Sequence, residues 1–165
     1  MTSAATTSTT DPLAEFGDAV QRDYPLARHT WFRIGGPARY FVQPTSVEQL
    51  QAVAKRCVEA DLPVYVLGLG ANLLVSSEGV PGVVIKLSSE AFREVSIRRD
   101  NDLAALTVGA GADMQKLLLK TCREGLAGIE CMAGIPGTVG GAVKMNAGCY
   151  GSYTADVVER VTVMD

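Results

Sequence analysis

Two glycine-rich stretches, Gly68 to Asn72 and Gly134 to Gly148, constrain this chain more than any other feature. The first lies within Val66-Leu67-Gly68-Leu69-Gly70-Ala71-Asn72-Leu73-Leu74-Val75, where an apolar run delivers two glycines and an asparagine. A glycine has no Cβ, so its backbone comes close to a ligand and adopts conformations closed to other residues. Successive N–H groups in such a turn form a concave nest for an anion. The Asn72 amide can tie the loop to itself or reach a phosphate. Taken alone, this stretch is explained equally well by a tight turn with no ligand. The second stretch, over residues 134–151, places six glycines in eighteen residues without low complexity. Pro136 fixes one bend, Thr138 offers a hydroxyl and Asn146 an amide. A purely structural turn rarely needs such a density, so a ligand loop is the favoured reading.

The familiar phosphate loops do not fit. No Gly-Lys-Ser/Thr occurs, which excludes a Walker loop. Leu73 occupies the third glycine position of a Rossmann fingerprint, and Leu73-Leu74-Val75 reads as extended chain where that fingerprint needs a helix. Gly109-Ala110-Gly111-Ala112-Asp113-Met114 follows a strand and opens a helix, yet Met114 replaces the third glycine. Asp113 also puts a negative charge at the helix N-terminus, where a diphosphate would sit. A turn with an ordinary N-cap is favoured there, with a peripheral backbone contact left open.

Composition narrows the class. The 165 residues suit one domain or two small lobes and can bury a core. A net charge of -3 and few aromatics argue against a nucleic-acid partner. No run approaches the roughly 18 apolar residues that span a bilayer, so no membrane role is expected. Residues 1–11 read as a disordered tail without a secretory signal, and a cytoplasmic location follows by default. Cys57, Cys122, Cys131 and Cys149 form no CxxC pair and His29 is the only histidine, so no metal site is expected. Buried or half-buried thiols are the simplest reading, with Cys149 the best candidate for a reactive one. A single histidine without a motif makes Ser-His-Asp chemistry improbable. Glu130 and Asp156 read as capping or solvated residues, Lys144 as solvated, and Tyr150 and Tyr153 as packing residues or covers over a site.

Periodicity predicts two lobes, over residues 12–88 and 89–165. A short helix is expected over Pro12 to Val20, irregular chain over Tyr24 to Phe32, and a strand over Ala38 to Gln43. Ser46 and Gln49 read as a capping box for a helix packing on Val47, Leu50, Ala54, Cys57 and Val58. A buried strand over Val64 to Leu67 and a strand over Val83 to Leu87 complete the first lobe. The second is expected to hold a hairpin of Glu94 to Arg98 with Ala104 to Val108. Asp113 then caps a helix packing on Met114, Leu117, Leu118 and Cys122 and closed by Gly125. Alternation predicts a last strand over Val157 to Met164.

Four ordered motifs resemble the UDP-N-acetylenolpyruvoylglucosamine reductase family: His29 to Ala38 (HTWFRIGGPA), Val66 to Val75, Val108 to Ala112, and Gly128 to Gly151 around Gly-Ile-Pro-Gly-Thr-Val-Gly-Gly-Ala. The resemblance covers residues 25–165. It implies an α+β, two-lobed FAD-binding fold of the vanillyl-alcohol-oxidase type. It implies that FAD is held by Ile34 and Gly35; by Gly68, Leu69, Gly70, Ala71, Asn72 and Leu73; by Ala110 and Gly111; and by Gly134, Ile135, Gly137, Thr138, Val139, Gly141, Asn146 and Gly148. In that family NADPH reduces the flavin, which passes hydride to the enolpyruvyl group of a UDP-sugar to give UDP-N-acetylmuramate for peptidoglycan, hence cell-wall synthesis, cell shape and division.

Departures limit what carries over. Ala71 stands where the family often has serine, and Ser152-Tyr153-Thr154 replaces a Gly-Glu pair and its neighbour. Family members continue beyond Asp165 into a C-terminal substrate domain, absent here, that carries the proton donor and the substrate-polarising arginine. No catalytic residue is therefore assigned, and the chain alone is expected to be inactive. Another FAD-dependent oxidoreductase of the same fold, or a non-catalytic FAD-binding module, stands as the alternative.

Overall fold

The computed structural model describes residues 11–164. The tail expected over residues 1–11 falls outside that range except for Asp11. The chain enters through a 3-10 turn, Ala14–Ala19, in place of the expected α-helix; Gly17 breaks it with φ 51. Leu13 and Val20 on either side are buried. Val20 opens strand β1 (Val20–Pro25), which corrects the reading of Tyr24 onward as irregular. Its alternation is hidden because only Val20 is fully buried along it. A 3-10 turn, Leu26–His29, leads to β2 (Pro37–Val42), antiparallel to β1.

Helix α1 spans Val47–Glu59, and the Ser46 hydroxyl accepts the Gln49 N–H at 3.2 Å. The Gln49 side chain reaches one residue further back than a capping box requires, accepting the Thr45 N–H at 2.8 Å. Its buried stripe is Val53 and Cys57 with Leu50 packed beside them. Val58, expected on that face, is 81% exposed, and Val47 is exposed as well. Strands β3 (Val64–Val66) and β4 (Val80–Ile85) follow, and the sheet order is β1-β2-β4-β3. β4 inserts between β2 and β3, parallel to both. β3 is therefore an edge strand, and its side chains are exposed where a buried strand was expected. Only Leu67, just beyond it, is buried.

The sheet packs on both faces. Tyr40, Val42, Val83 and Ile85 meet Val53 and Cys57 of α1 on one side. Phe41, Val84, Leu26, Ala38 and Leu67 form a cluster on the other. A register shift between Ala38 and Tyr40 puts Ala38 with Phe41 instead of with Tyr40. Phe41 is fully buried, a burial that contributes about 2–3 kcal/mol.

The rest of the chain builds a separate core. Strands β5 (Val95–Asp100) and β6 (Leu103–Val108) form the expected hairpin, with Asn101 at φ 52 in the turn. Helix α2 (Met114–Arg123) is capped by Asp113, whose carboxylate accepts the Lys116 N–H at 3.1 Å. Met114, Leu117 and Leu118 pack against Met132 and Ala142. Thr121 is buried in place of the expected Cys122, which is exposed. The second glycine-rich stretch contains a short helix, α3 (Val139–Met145), where a loop was expected. A two-residue hairpin, β7 (Gly148–Cys149) with β8 (Ser152–Tyr153), follows. Residues 157–164 form no strand. Alternation there is not enough, because a strand needs a neighbour for its N–H and C=O groups. Among the described residues, no helix is long and apolar enough to cross a membrane.

Candidate functional site

The first glycine loop hangs from the sheet by Leu67, whose N–H donates to the Ile85 carbonyl at 2.8 Å. Gly70 adopts φ +68, and its carbonyl accepts the Trp31 N–H at 3.1 Å. A Cβ on Gly70 would collide with the His29 carbonyl, so the loop sits backbone to backbone on the 29–31 turn. Among the described residues, no protein acceptor meets the N–H groups of Leu69, Gly70, Ala71, Asn72 or Leu73. Consecutive unpaired N–H groups are what an anion nest requires.

The Lys86 ammonium, at the end of β4, donates to the Gly68 carbonyl. Lys86 is half-buried, and desolvation first, with the Arg93 charge second, lowers its pKa. An open cleft of about 440 Å3 adjoins the loop, lined by Arg28, His29, Thr30, Trp31, Arg33, Leu69 and Lys86. Three of those side chains are cationic and none is acidic. His29 stacks on Phe41 and Tyr24, with ring centroids 5.1 and 5.5 Å away, and its Nε2 lies 3.1 Å from the Tyr24 hydroxyl. Burial, then the Lys86 and Arg28 charges, hold it below its ordinary pKa. A second cleft of similar volume, lined by Glu90, Ala91, Arg93 and Glu94, touches neither glycine loop.

The two glycine stretches meet. A Cβ on Gly68 would lie 2.8 Å from the Thr138 hydroxyl oxygen. That hydroxyl caps α3 by accepting the Gly141 N–H at 3.2 Å. The 109–113 loop joins the same junction. The Gly140 N–H donates to the Ala110 carbonyl at 2.8 Å, the Val139 N–H to Ala112 at 2.9 Å, and the Met114 N–H to Gly137 at 3.1 Å. Gly111 is fixed by its N–H to the Phe92 carbonyl at 2.7 Å and leaves no space for a Cβ against Leu87. Gly134 and Gly137 differ: their φ values are +83 and +134, and nothing lies within 4 Å of where a Cβ would project. Open space lies where a Cβ would project from each, so backbone conformation alone reserves both positions for glycine.

Ile34 and Gly35 lie on the turn that borders the cleft. The Thr30 hydroxyl donates to the Ile34 carbonyl at 2.8 Å, and Gly35, at φ +124, packs on Val75. Gly68, Ala110, Ala112, Gly137, Thr138, Val139 and Gly140 make the contacts of the junction, and Leu69 lines the cleft. Ile135 packs into the second core, where its carbonyl accepts the Gln115 side-chain N–H at 3.0 Å. Asn146 and Gly148 sit past α3, where Asn146 is the left-handed C-cap and its side-chain oxygen accepts the Ala155 N–H at 2.9 Å. That oxygen is thus committed to the fold. Glu130 and Asp156 accept the Gly128 and Tyr153 N–H groups, each at 2.7 Å, as capping residues do. Tyr150 is 97% exposed and packs on nothing. Among the described residues no cluster of His, Cys, Asp and Glu has metal geometry. Sequence reasoning missed Arg28, Arg33 and Lys86. The net charge of -3 averages their local concentration away, and only the pairing of β4 with β2 and β3 puts Lys86 under the loop.

A run of unpaired N–H groups beside a cleft with three cationic side chains fits a diphosphate. The comparisons agree. The family described as FAD binding domain matches residues 38–165. The chain is 43% identical over 140 residues to a UDP-N-acetylenolpyruvoylglucosamine reductase of Bradyrhizobium sp., covering 85% of this chain and 44% of that one. It is 40% identical over 167 residues to the reductase of that name from Agathobacter rectalis, covering 95% and 51%. The chain thus spans about half the length of the curated relatives it matches. The crystal structure of the UDP-N-acetylenolpyruvylglucosamine reductase from Thermus caldophilus superposes with a TM-score of 0.66 at 39% identity, over 83% of this chain and 46% of that one. Cholesterol oxidase from B. sterolicum shares the fold alone, with a TM-score of 0.60 at 16% identity over 79% of this chain and 25% of that one. The architecture is the α+β FAD-binding fold that the sequence resemblance implies.

Proposed function

Because this chain belongs to the FAD binding domain family, we propose that it is the FAD-binding part of an NADPH-dependent reductase acting on a UDP-N-acetylglucosamine enolpyruvate. The observation that carries the reading is the meeting of the two glycine stretches, Gly68 against Thr138, beside a cation-lined cleft. In this reading residues 12–88 and 89–165 are two lobes that hold FAD between them. The N–H groups of Leu69 to Leu73 take the diphosphate. Gly134, Ile135, Gly137, Thr138, Val139 and Gly141, with Ala110 and Gly111, form the wall along the rest of the cofactor. Ile34 and Gly35 close the side next to the cleft, and Asn146 and Gly148 hold the far end of the wall. FAD supplies the hydride relay between NADPH and the enolpyruvyl double bond.

The chain's own residues bind and orient. In this reading no proton donor is assigned to this chain, and the UDP-sugar site and the proton donor belong to the remainder of the relatives' length. The reaction belongs to peptidoglycan synthesis, in the cytoplasm, where UDP-sugars are made; nucleic acid has no part in it.

A hybrid tests the reading. This chain replaces the corresponding part of the Thermus caldophilus reductase, and NADPH oxidation dependent on UDP-N-acetylglucosamine enolpyruvate is followed at the nicotinamide band. Turnover by the hybrid and none by the 165-residue chain alone is expected. A hybrid that folds, carries FAD and oxidises an alcohol with oxygen instead favours a different oxidoreductase of this fold. One that binds FAD and catalyses neither reaction favours a non-catalytic module.

A further inference from the structure

We infer that Lys86 is the positioning residue of the dinucleotide site: its ammonium pins the Gly68 carbonyl, turns the loop's N–H groups outward, and with Arg28 and Arg33 supplies the positive charge that a diphosphate neutralises. The inference rests on the FAD reading above and extends it to residues outside the glycine loops.

The geometry begins at the peptide bond. In a trans peptide the N–H points away from the preceding C=O. Lys86 holds the Gly68 carbonyl, so the Leu69 N–H faces the opposite side of the loop. It belongs to the run that meets no protein acceptor among the described residues. Charge is the second part. Lys86 is half-buried, and a buried cation is normally paired. Among the described residues Lys86, Arg28 and Arg33 join no salt bridge. All three line one cleft with Leu69, and no carboxylate lines it with them. In a chain of net charge -3, this is a cationic cleft beside the N–H nest, with Lys86 on the carbonyl side of the loop, so its charge acts through space on an anion held by the N–H groups. A dianionic diphosphate meets both the bonding and the charge. Lys86 thus has two roles, a brace for the loop and a charge for its ligand.

Salt separates the two roles, because charge attraction is screened by ions and a steric brace is not. The 165-residue chain is titrated with FAD at low and high potassium chloride, following quenching of Trp31, its single tryptophan. Lys86→Met is expected to weaken FAD about 10- to 100-fold at low salt, the size of a lost charge-assisted bond, and to flatten the salt dependence. Lys86→Arg is expected to restore that dependence. Arg28 and Arg33 are exposed, so Arg28→Gln with Arg33→Gln cannot disrupt the core; this double variant is expected to flatten the dependence even if Lys86→Met does not fold. A Lys86→Met or double variant that binds FAD with the wild-type affinity and salt dependence overturns the inference alone. So does a Lys86→Met that weakens binding with its salt dependence intact. A folded wild-type chain that binds no FAD overturns the FAD reading and this inference together.

Discussion

Replacing Gly70 by alanine separates the shape of the first loop from its chemistry. Gly70 has φ +68, and an alanine Cβ there would lie 2.9 Å from the His29 carbonyl carbon and from Thr30 Cα, and closer still to the His29 oxygen. The left-handed conformation costs a residue with a Cβ about 1 kcal/mol. All the colliding atoms are backbone, so the turn itself must move, at the roughly 1–3 kcal/mol typical of overpacked sites. That movement also pulls the Trp31 N–H off the Gly70 carbonyl, 3.1 Å away, a bond contributing about 1 kcal/mol. The sum is about 3–5 kcal/mol, a large fraction of the stability of an ordinary domain. Urea unfolding followed by circular dichroism reads it directly: with a slope of about 2 kcal/mol per molar, the midpoint falls by roughly 1.5–2.5 M. Gly134→Ala is the control. Its φ is +83 but nothing lies within 4 Å of the new Cβ, so only the conformational cost of about 1 kcal/mol applies. A Gly70→Ala midpoint within about 0.5 M of wild type, or no lower than that of Gly134→Ala, refutes the packing argument.

Two further perturbations probe the junction and its surroundings. Thr138→Ala removes the hydroxyl that caps α3 at the Gly141 N–H; a loss of about 1 kcal/mol is expected in thermal melts, and Thr138→Ser should recover it. His29 is held below its ordinary value of 6.5 by burial, then by the charges of Lys86 and Arg28. Between the folded value and 6.5 the unfolded chain binds more protons, so stability rises with pH across that window and is lost as pH falls through it. His29→Phe keeps a ring beside Phe41 and should remove that slope from urea midpoints measured at successive pH values; an unchanged slope assigns it elsewhere.

The two caps were legible because they are local: Ser46 and Asp113 each bond an N–H three residues on, which spacing alone can show. The hairpin and the break at Gly125 were legible for the same reason. β1 was not, because it is mostly exposed and finds its register only on β2. β3 was misjudged as buried because an apolar run does not say whether its strand is central or at an edge. The helix inside the second glycine stretch was hidden by Gly140 and Gly141, poor helix formers. Gly140 is retained because its backbone packs on Ala110 with no space for a Cβ. At the site, the glycines announced themselves through composition, whereas Lys86 lies eighteen residues from the carbonyl it holds. No local pattern contains such a pair; the parallel insertion of β4 creates it.

FAD binding itself is the most direct measurement. The flavin-free chain is titrated with FAD while the fluorescence of Trp31, 62% exposed on the edge of the cleft, is recorded, and the product is passed through a sizing column. Saturable quenching at one FAD per chain, with the yellow flavin bands eluting with the protein, is the predicted result. A folded chain whose fluorescence declines only linearly with added FAD, and which elutes colourless, contradicts it.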